Sequence, residues 1–246
     1  AENLGASFVD LNLGCSVPKV VRKGSGAALA RDAIKLEKIL TALVKSVKIP
    51  VSIKIRTGWD SSSRNAKEIV DIATQSGISW ATIHGRTSKQ GYSGSADWDF
   101  IGKIKQQSSI PIIGNGDLDT PQKACQYLKN YNVDAVMIGR SCVRNPFIFE
   151  QAKSLWEGKN YNLPTLDDYY KLLNQHKELL EEHYHLKKTL ILARKYVAWY
   201  SSSLPSSRKF RYEIFKIQDN QKFWDKTFKF FETHFYICDN GNTSIV

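Results

Sequence analysis

Five short runs rich in β-branched and aromatic residues, at 8–13, 51–55, 80–83, 110–113 and 133–138, punctuate the first part of the chain, with starts 23 to 43 residues apart. Such intervals are too long for hairpins and long enough for one helix each, which is the rhythm of repeated strand–helix units and hence of a parallel sheet. The intervening stretches agree. ALARDAIKLEKILTALVKSV (28–47) and AKEIVDIATQSG (66–77) carry apolar residues at helical spacing, and Gly77 is placed to end the second. Pro50 and Pro111 each open a strand, where a missing N–H costs least.

Beyond about residue 150 the alternation stops and long Leu/Tyr/Lys-rich stretches follow, such as LDDYYKLLNQHKELLEEHYHLKK (166–188). Thr165 reads as a helix N-cap, with Asp168 in the capping-box position. The expected organisation is an α/β part over 1–150, a connecting helix and linker over 151–164, and a helical domain over 165–246. Five strand–helix units suit two architectures: a doubly wound sheet, or a (β/α) barrel represented by its last five units, at roughly 30 residues per unit.

Charge narrows the partners. The net charge is +11 and the pI about 9.4, with +7 on residues 1–150 and +4 on 151–246. An excess of Lys and Arg on both parts favours a polyanion, nucleic acid first, because neutralised phosphates release condensed counterions; simple solubility is the competing explanation. No apolar run reaches the roughly 18 residues of a membrane span, and the first residues lack a basic-then-apolar leader, so a soluble cytoplasmic protein with no membrane partner is expected. Cys15, Cys125, Cys142 and Cys238 form no CxxC pair and the five histidines no HExxH pattern, so neither a structural metal nor a disulfide framework is expected.

Chemistry gathers where strands end, the edge at which parallel α/β proteins place their sites. Cys15 follows the first strand in GCSVPKVVRKGSG, beside Lys19, Arg22 and Lys23, which would favour its thiolate; a small buried hydrophobe is the alternative. Lys54, in VSIKIRTG, faces away from Ile53 and Ile55 and needs a compensating anion or electron-rich ligand, unless a carboxylate such as Asp10 pairs with it. His84 and Arg86 end the third strand. Asn115-Gly116-Asp117 and Gly139-Arg140 end the fourth and fifth, where glycines and an arginine suit a ligand phosphate and favour a barrel.

With these residues in place, GCSVPKVVRKGSGAAL, VSIKIRTGWD, ATIHGRTSKQGYSGSADWDFI, IPIIGNGDL and VDAVMIGRSCVRNPFIF closely resemble, in order and spacing, segments of the tRNA-dihydrouridine synthases. The resemblance is strong over about residues 1–150 and looser over the helical tail, including LARKYVAWY (192–200). It implies a partial TIM (β/α) barrel, about strands 4 to 8, followed by an all-α domain that binds tRNA. It also implies an FMN reduced by NADPH, hydride transfer to uracil, and Cys15 as proton donor. By motif position, Lys54 and His84 would contact the flavin ring, and Asn115, Gly116, Asp117, Gly139 and Arg140 its ribityl chain and phosphate. Lys19, Arg86, Arg194 and Lys195 would meet substrate, with Arg208, Lys209 and Arg211 adding to the grip, while Trp199, Tyr200, Phe210 and Tyr212 would be packing residues. No protein partner is expected.

Segments that in relatives form the first three strands do not occur in this sequence, so the chain reads as a fragment of a longer product or a degenerate copy. Two further readings stay open: a non-catalytic RNA-binding remnant, and a different flavin- or phosphate-binding barrel oxidoreductase.

Overall fold

A computed structural model describes the backbone of residues 1–239 and the side chains of residues 1–234. The chain divides into two compact units, Ala1–Gly139 and Arg140–Val246. In chain order the first holds β1 (Val9–Asn12), α1 (Pro18–Val21), α2 (Ala33–Ser46), β2 (Val51–Arg56), α3 (Ala66–Gln75), β3 (Trp80–His84), α4 (Trp98–Gln107), β4 (Ile112–Asn115), α5 (Pro121–Asn130) and β5 (Ala135–Met137). The helix expected over 28–47 divides at Asp32. Gly26–Arg31 forms a 3-10 turn, and the Asp32 carboxylate caps α2 by accepting from Lys35 N at 3.0 Å.

All neighbouring strands are parallel and lie in sequence order, β1-β2-β3-β4-β5. A doubly wound sheet reverses its order at a switch point and carries helices on both faces. Here each strand is laid beside its predecessor, the winding of a barrel wall. The register makes the two faces unlike. Leu11, Ile53, Ala81 and Ile112 share one row, and Ile55, Ile83 and Gly114 the next. Against these pack Leu36 and Leu40 of α2, Ile69 and Val70 of α3, and Ile101 and Ile104 of α4, all buried. Each such side chain contributes roughly 1.5–3 kcal/mol of burial.

Period-two alternation puts the polar residues on the opposite face. Asp10 pairs with Ser52; Asn12, Lys54, Thr82 and Ile113 form the next row; Arg56, His84, Asn115 and Met137 form the last, at the C-terminal ends of the strands. Ser52 Oγ donates to Asp10 Oδ1 at 2.7 Å.

The second unit contains α6 (Ser141–Arg144), α7 (Ile148–Trp156), α8 (Leu166–His183), α9 (Leu186–Tyr200), α10 (Ser207–Ile214) and α11 (Asn220–Asp239). Because α6 packs against α9, this unit begins at Arg140, ahead of the expected division at 150/151. Thr165 and Asp168 form the full capping box, each side chain bonded to the other's backbone N–H. The core gathers Leu173, Leu180, Val197, Ile214, Phe223, Trp224 and Phe231. Tyr200 and Phe210 are buried as expected of packing residues, whereas Tyr212 is 65% exposed, its ring beneath Lys216 Nζ at 3.9 Å. Among the described residues no helix is long and apolar enough to cross a membrane, and no group of three or more His, Cys, Asp or Glu is arranged to hold a metal ion. Cys238 lies outside the residues whose side chains are described.

Candidate functional site

Parallel strands bring their C-terminal ends to one edge, so the residues closing β2, β3 and β4 share a rim. Lys54 Nζ donates to Asn115 Oδ1 at 3.2 Å, and Asn115 Nδ2 donates to Met137 O at 2.7 Å, which fixes the amide between β2 and β5. His84 and Asn115 are register partners, as are Arg56 and His84.

Cys15 stands three residues beyond β1, and its backbone is held on both sides. Arg56 Nε donates to Gly14 O at 2.9 Å, and Ala27 N donates to Cys15 O at 3.0 Å. Gly26 takes φ 59, and a Cβ there would lie 2.9 Å from Cys15 Cβ, so only glycine lets the chain pass the thiol's backbone. Arg56 Nη1 also donates to Thr87 O and Gly91 O, each at 2.9 Å. One guanidinium therefore ties the loop carrying Cys15 to the loop after β3.

Cations dominate this rim. Burial, then the charges of Arg56, Lys54 and Arg86, push the His84 imidazole down to about 3, so it is neutral at physiological pH. Burial and Arg56 also lower Lys54, with Asp10 opposing, and burial lowers Arg56. Among the described residues Lys54 has no carboxylate within ion-pair distance, its hydrogen bond going to a neutral amide, and the His84 ring makes no hydrogen bond. The arrangement has donors and positive charge to spare, so it suits an electron-rich or anionic ligand.

Other expected contacts are engaged within the chain. Arg86, 3% exposed, pairs with Asp117 at 2.8 Å and donates to Ser93 O and Gly94 O, while Asp117 Oδ2 also accepts from Ala96 N at 2.7 Å. Burial opposes the charge of Asp117, but the bonds from Arg86 and Ala96 N outweigh it and hold the carboxyl below the usual carboxylate range. Gly116 is required by its neighbours, since a Cβ would lie 2.6 Å from Ala96 Cβ and 3.1 Å from His84 Cδ2. A Cβ at Gly139 would meet nothing within 4 Å. Arg140 opens the second unit as the N-terminal flank of α6.

Lys19 is exposed on α1. In the helical unit, Arg194 donates to Ile217 O and to Gln218 Oε1, so it braces the turn after α10, while Lys195 is exposed with its Nζ 4.8 Å above the Trp199 ring. Arg56 belongs to the polar cluster Lys54-Ile55-Arg56 that ends the second strand, but the sequence suggests no role for it; standing two residues after Lys54, it falls on the same face.

A family model described as "Dihydrouridine synthase (Dus)" matches residues 1–234. A probable tRNA-dihydrouridine synthase of Rickettsia bellii is 39% identical over 231 residues, covering 94% of this chain and 71% of the relative. The tRNA-dihydrouridine synthase B of Pasteurella multocida is 43% identical over 216 residues, covering 87% of this chain and 65% of the relative. That of Pseudomonas aeruginosa is 39% identical over 217 residues, with 88% and 65% covered. The chain thus spans about two thirds of the length of these relatives.

Proposed function

The chain belongs to the dihydrouridine synthase family, and from that premise we propose that it serves the reduction of uridine to 5,6-dihydrouridine in tRNA in the cytoplasm, with FMN as redox group, NADPH as reductant and Cys15 as proton donor. The observation that carries the reading is the convergence of Lys54, His84 and Asn115 in adjacent rows of one polar face, beside a Cys15 loop that Arg56 pins to the same strand end.

The residues present fit an FMN. Lys54 offers a cation with no carboxylate partner among the described residues, His84 an unbonded imidazole N–H, and Asn115 a fixed amide, as an electron-rich ring requires. Gly139 and the charge of Arg140, consecutive in the chain just after β5, suit its phosphate. When bound, the flavin supplies the hydride that adds to one carbon of the uracil double bond.

Saturating that bond also needs a proton at the neighbouring carbon. A thiol can release that proton from Sγ. The two backbone bonds around Cys15 hold the loop that carries the sulfur. A uracil within folded tRNA must leave its stack to be reached, at a cost that phosphate contacts offset. The exposed Lys19, Lys195, Arg208 and Lys209 suit those contacts.

The test uses the chain purified with FMN, NADPH and tRNA lacking dihydrouridine, with product counted by nucleoside mass spectrometry. Cys15→Ala should keep its flavin and lose turnover by about a hundredfold or more. Flavin-loaded protein that leaves uridine untouched, or a Cys15→Ala variant as active as the parent, would overturn the reading. Salt-dependent tRNA binding by folded protein that takes up no flavin would favour an RNA-binding role instead.

A further inference from the structure

The ion pair between Arg86 and Asp117 is not among the contacts used under Proposed function, yet it is the most buried pairing of charges at the rim, with the two side chains 4% and 25% exposed. Its surroundings suggest a purpose. Asp117 takes φ 55, a left-handed conformation that side-chain-bearing residues disfavour, and Gly116 before it takes φ 127. Three groups hold this turn: Trp98 Nε1 donates to Gly116 O at 2.9 Å, Ala96 N to Asp117 Oδ2 at 2.7 Å, and Arg86 to the same carboxylate at 2.9 Å. Arg86 also grips Ser93 O and Gly94 O, in the loop that carries Ala96. The turn so fixed lies directly against the His84 imidazole, whose Cδ2 stands 3.1 Å and Nε2 3.4 Å from where a Gly116 Cβ would be.

We propose that Arg86 and Asp117 are positioning residues, whose ion pair clamps the Gly116–Asp117 turn onto the 93–96 loop and thereby sets the place of the His84 imidazole. The inference deepens the reading given under Proposed function and rests on it for the identity of the ligand that imidazole meets. A guanidinium suits the task because its planar fork serves both a carboxylate and two carbonyls; an ammonium would serve only part of this set.

Two conservative variants test it in the full chain. Asp117→Asn keeps an oxygen for Ala96 N and removes the ion pair. Arg86→Lys keeps the charge and removes the fork, so any change it causes is one of geometry. Three readouts apply: His84 ring resonances in flavin-free protein, amide exchange at 115–117, and the FMN dissociation constant. In Asp117→Asn, exchange at Gly116 and residue 117 should quicken and the FMN dissociation constant rise by about tenfold each, with His84 resonances displaced. Arg86→Lys should fall between the parent and Arg86→Met in all three. If both conservative variants only lower the melting temperature, with His84 resonances unmoved and FMN affinity within about twofold, the pair is a plain structural brace and the proposal fails. Should the parent chain bind no FMN, the functional reading falls instead, while exchange and the Arg86→Lys resonances still decide the clamp.

Discussion

Gly114→Ala probes how firmly the rim depends on packing beneath it. Gly114 lies on the apolar face of β4, where an added Cβ would stand 2.2 Å from Cζ3 and 2.5 Å from Cη2 of Trp98. Restoring an ordinary carbon contact of ~3.5 Å requires the indole to retreat by about 1.3 Å. It has little room, being 3% exposed and in edge contact with Tyr127 at 4.9 Å and tilted against Tyr131 at 5.6 Å. Overpacking of this kind costs roughly 1–3 kcal/mol. Moving the ring also strains the buried bond from Trp98 Nε1 to Gly116 O, and an unmade buried donor costs roughly 1–3 kcal/mol. A total of about 3 kcal/mol follows, which for a unit of this size lowers the melting temperature by about 10 °C. Thermal unfolding by circular dichroism measures it. Adding Trp98→Leu should recover part of the loss, giving a coupling of about 1 kcal/mol or more between the two sites. A Gly114→Ala protein melting within about 2 °C of the parent would refute the packing argument.

Lys54→Met should raise stability by about 1 kcal/mol at neutral pH while weakening flavin retention, because it removes a half-buried cation that lacks a carboxylate partner among the described residues. The folded-state pKa of Lys54 is lowered, so below 10.5 the unfolded chain binds more protons and stability should rise with pH through the alkaline range; denaturant midpoints of the variant should lose that rise. For His84, lowered to about 3, the unfolded chain binds the extra proton between about 3 and 6.5, so stability should fall as pH drops through that window, and His84→Gln should flatten the acid limb of urea midpoint against pH. In the helical unit, Thr165→Ala should cost about 1 kcal/mol by removing one half of the capping box, seen as a lower denaturation midpoint; an unchanged midpoint would mean that α8 does not depend on its cap.

Local periodicity carried much of this architecture. β-branched runs and their intervals gave five parallel strands within two residues of where they stand, and Thr165 with Asp168 gave the start of α8. Alternation in VSIKIRTG placed Lys54 on the face opposite Ile53 and Ile55, since strand side chains switch sides at every residue. Family membership was legible too, because the motifs at successive strand ends are short and contiguous. What the linear pattern could not reveal was how charged groups far apart in the chain satisfy one another. Arg86 and Asp117, 31 residues apart, turn to each other; Arg56 reaches Gly14 across 42 residues; Lys54 finds Asn115 across 61. Those choices are made only when the strands come into register, because a charge leaving water takes whichever partner the packed geometry puts within about 3 Å. The sequence alone determined which residues stand at the strand ends, and tertiary structure decided which of them brace the loops and which remain for a ligand.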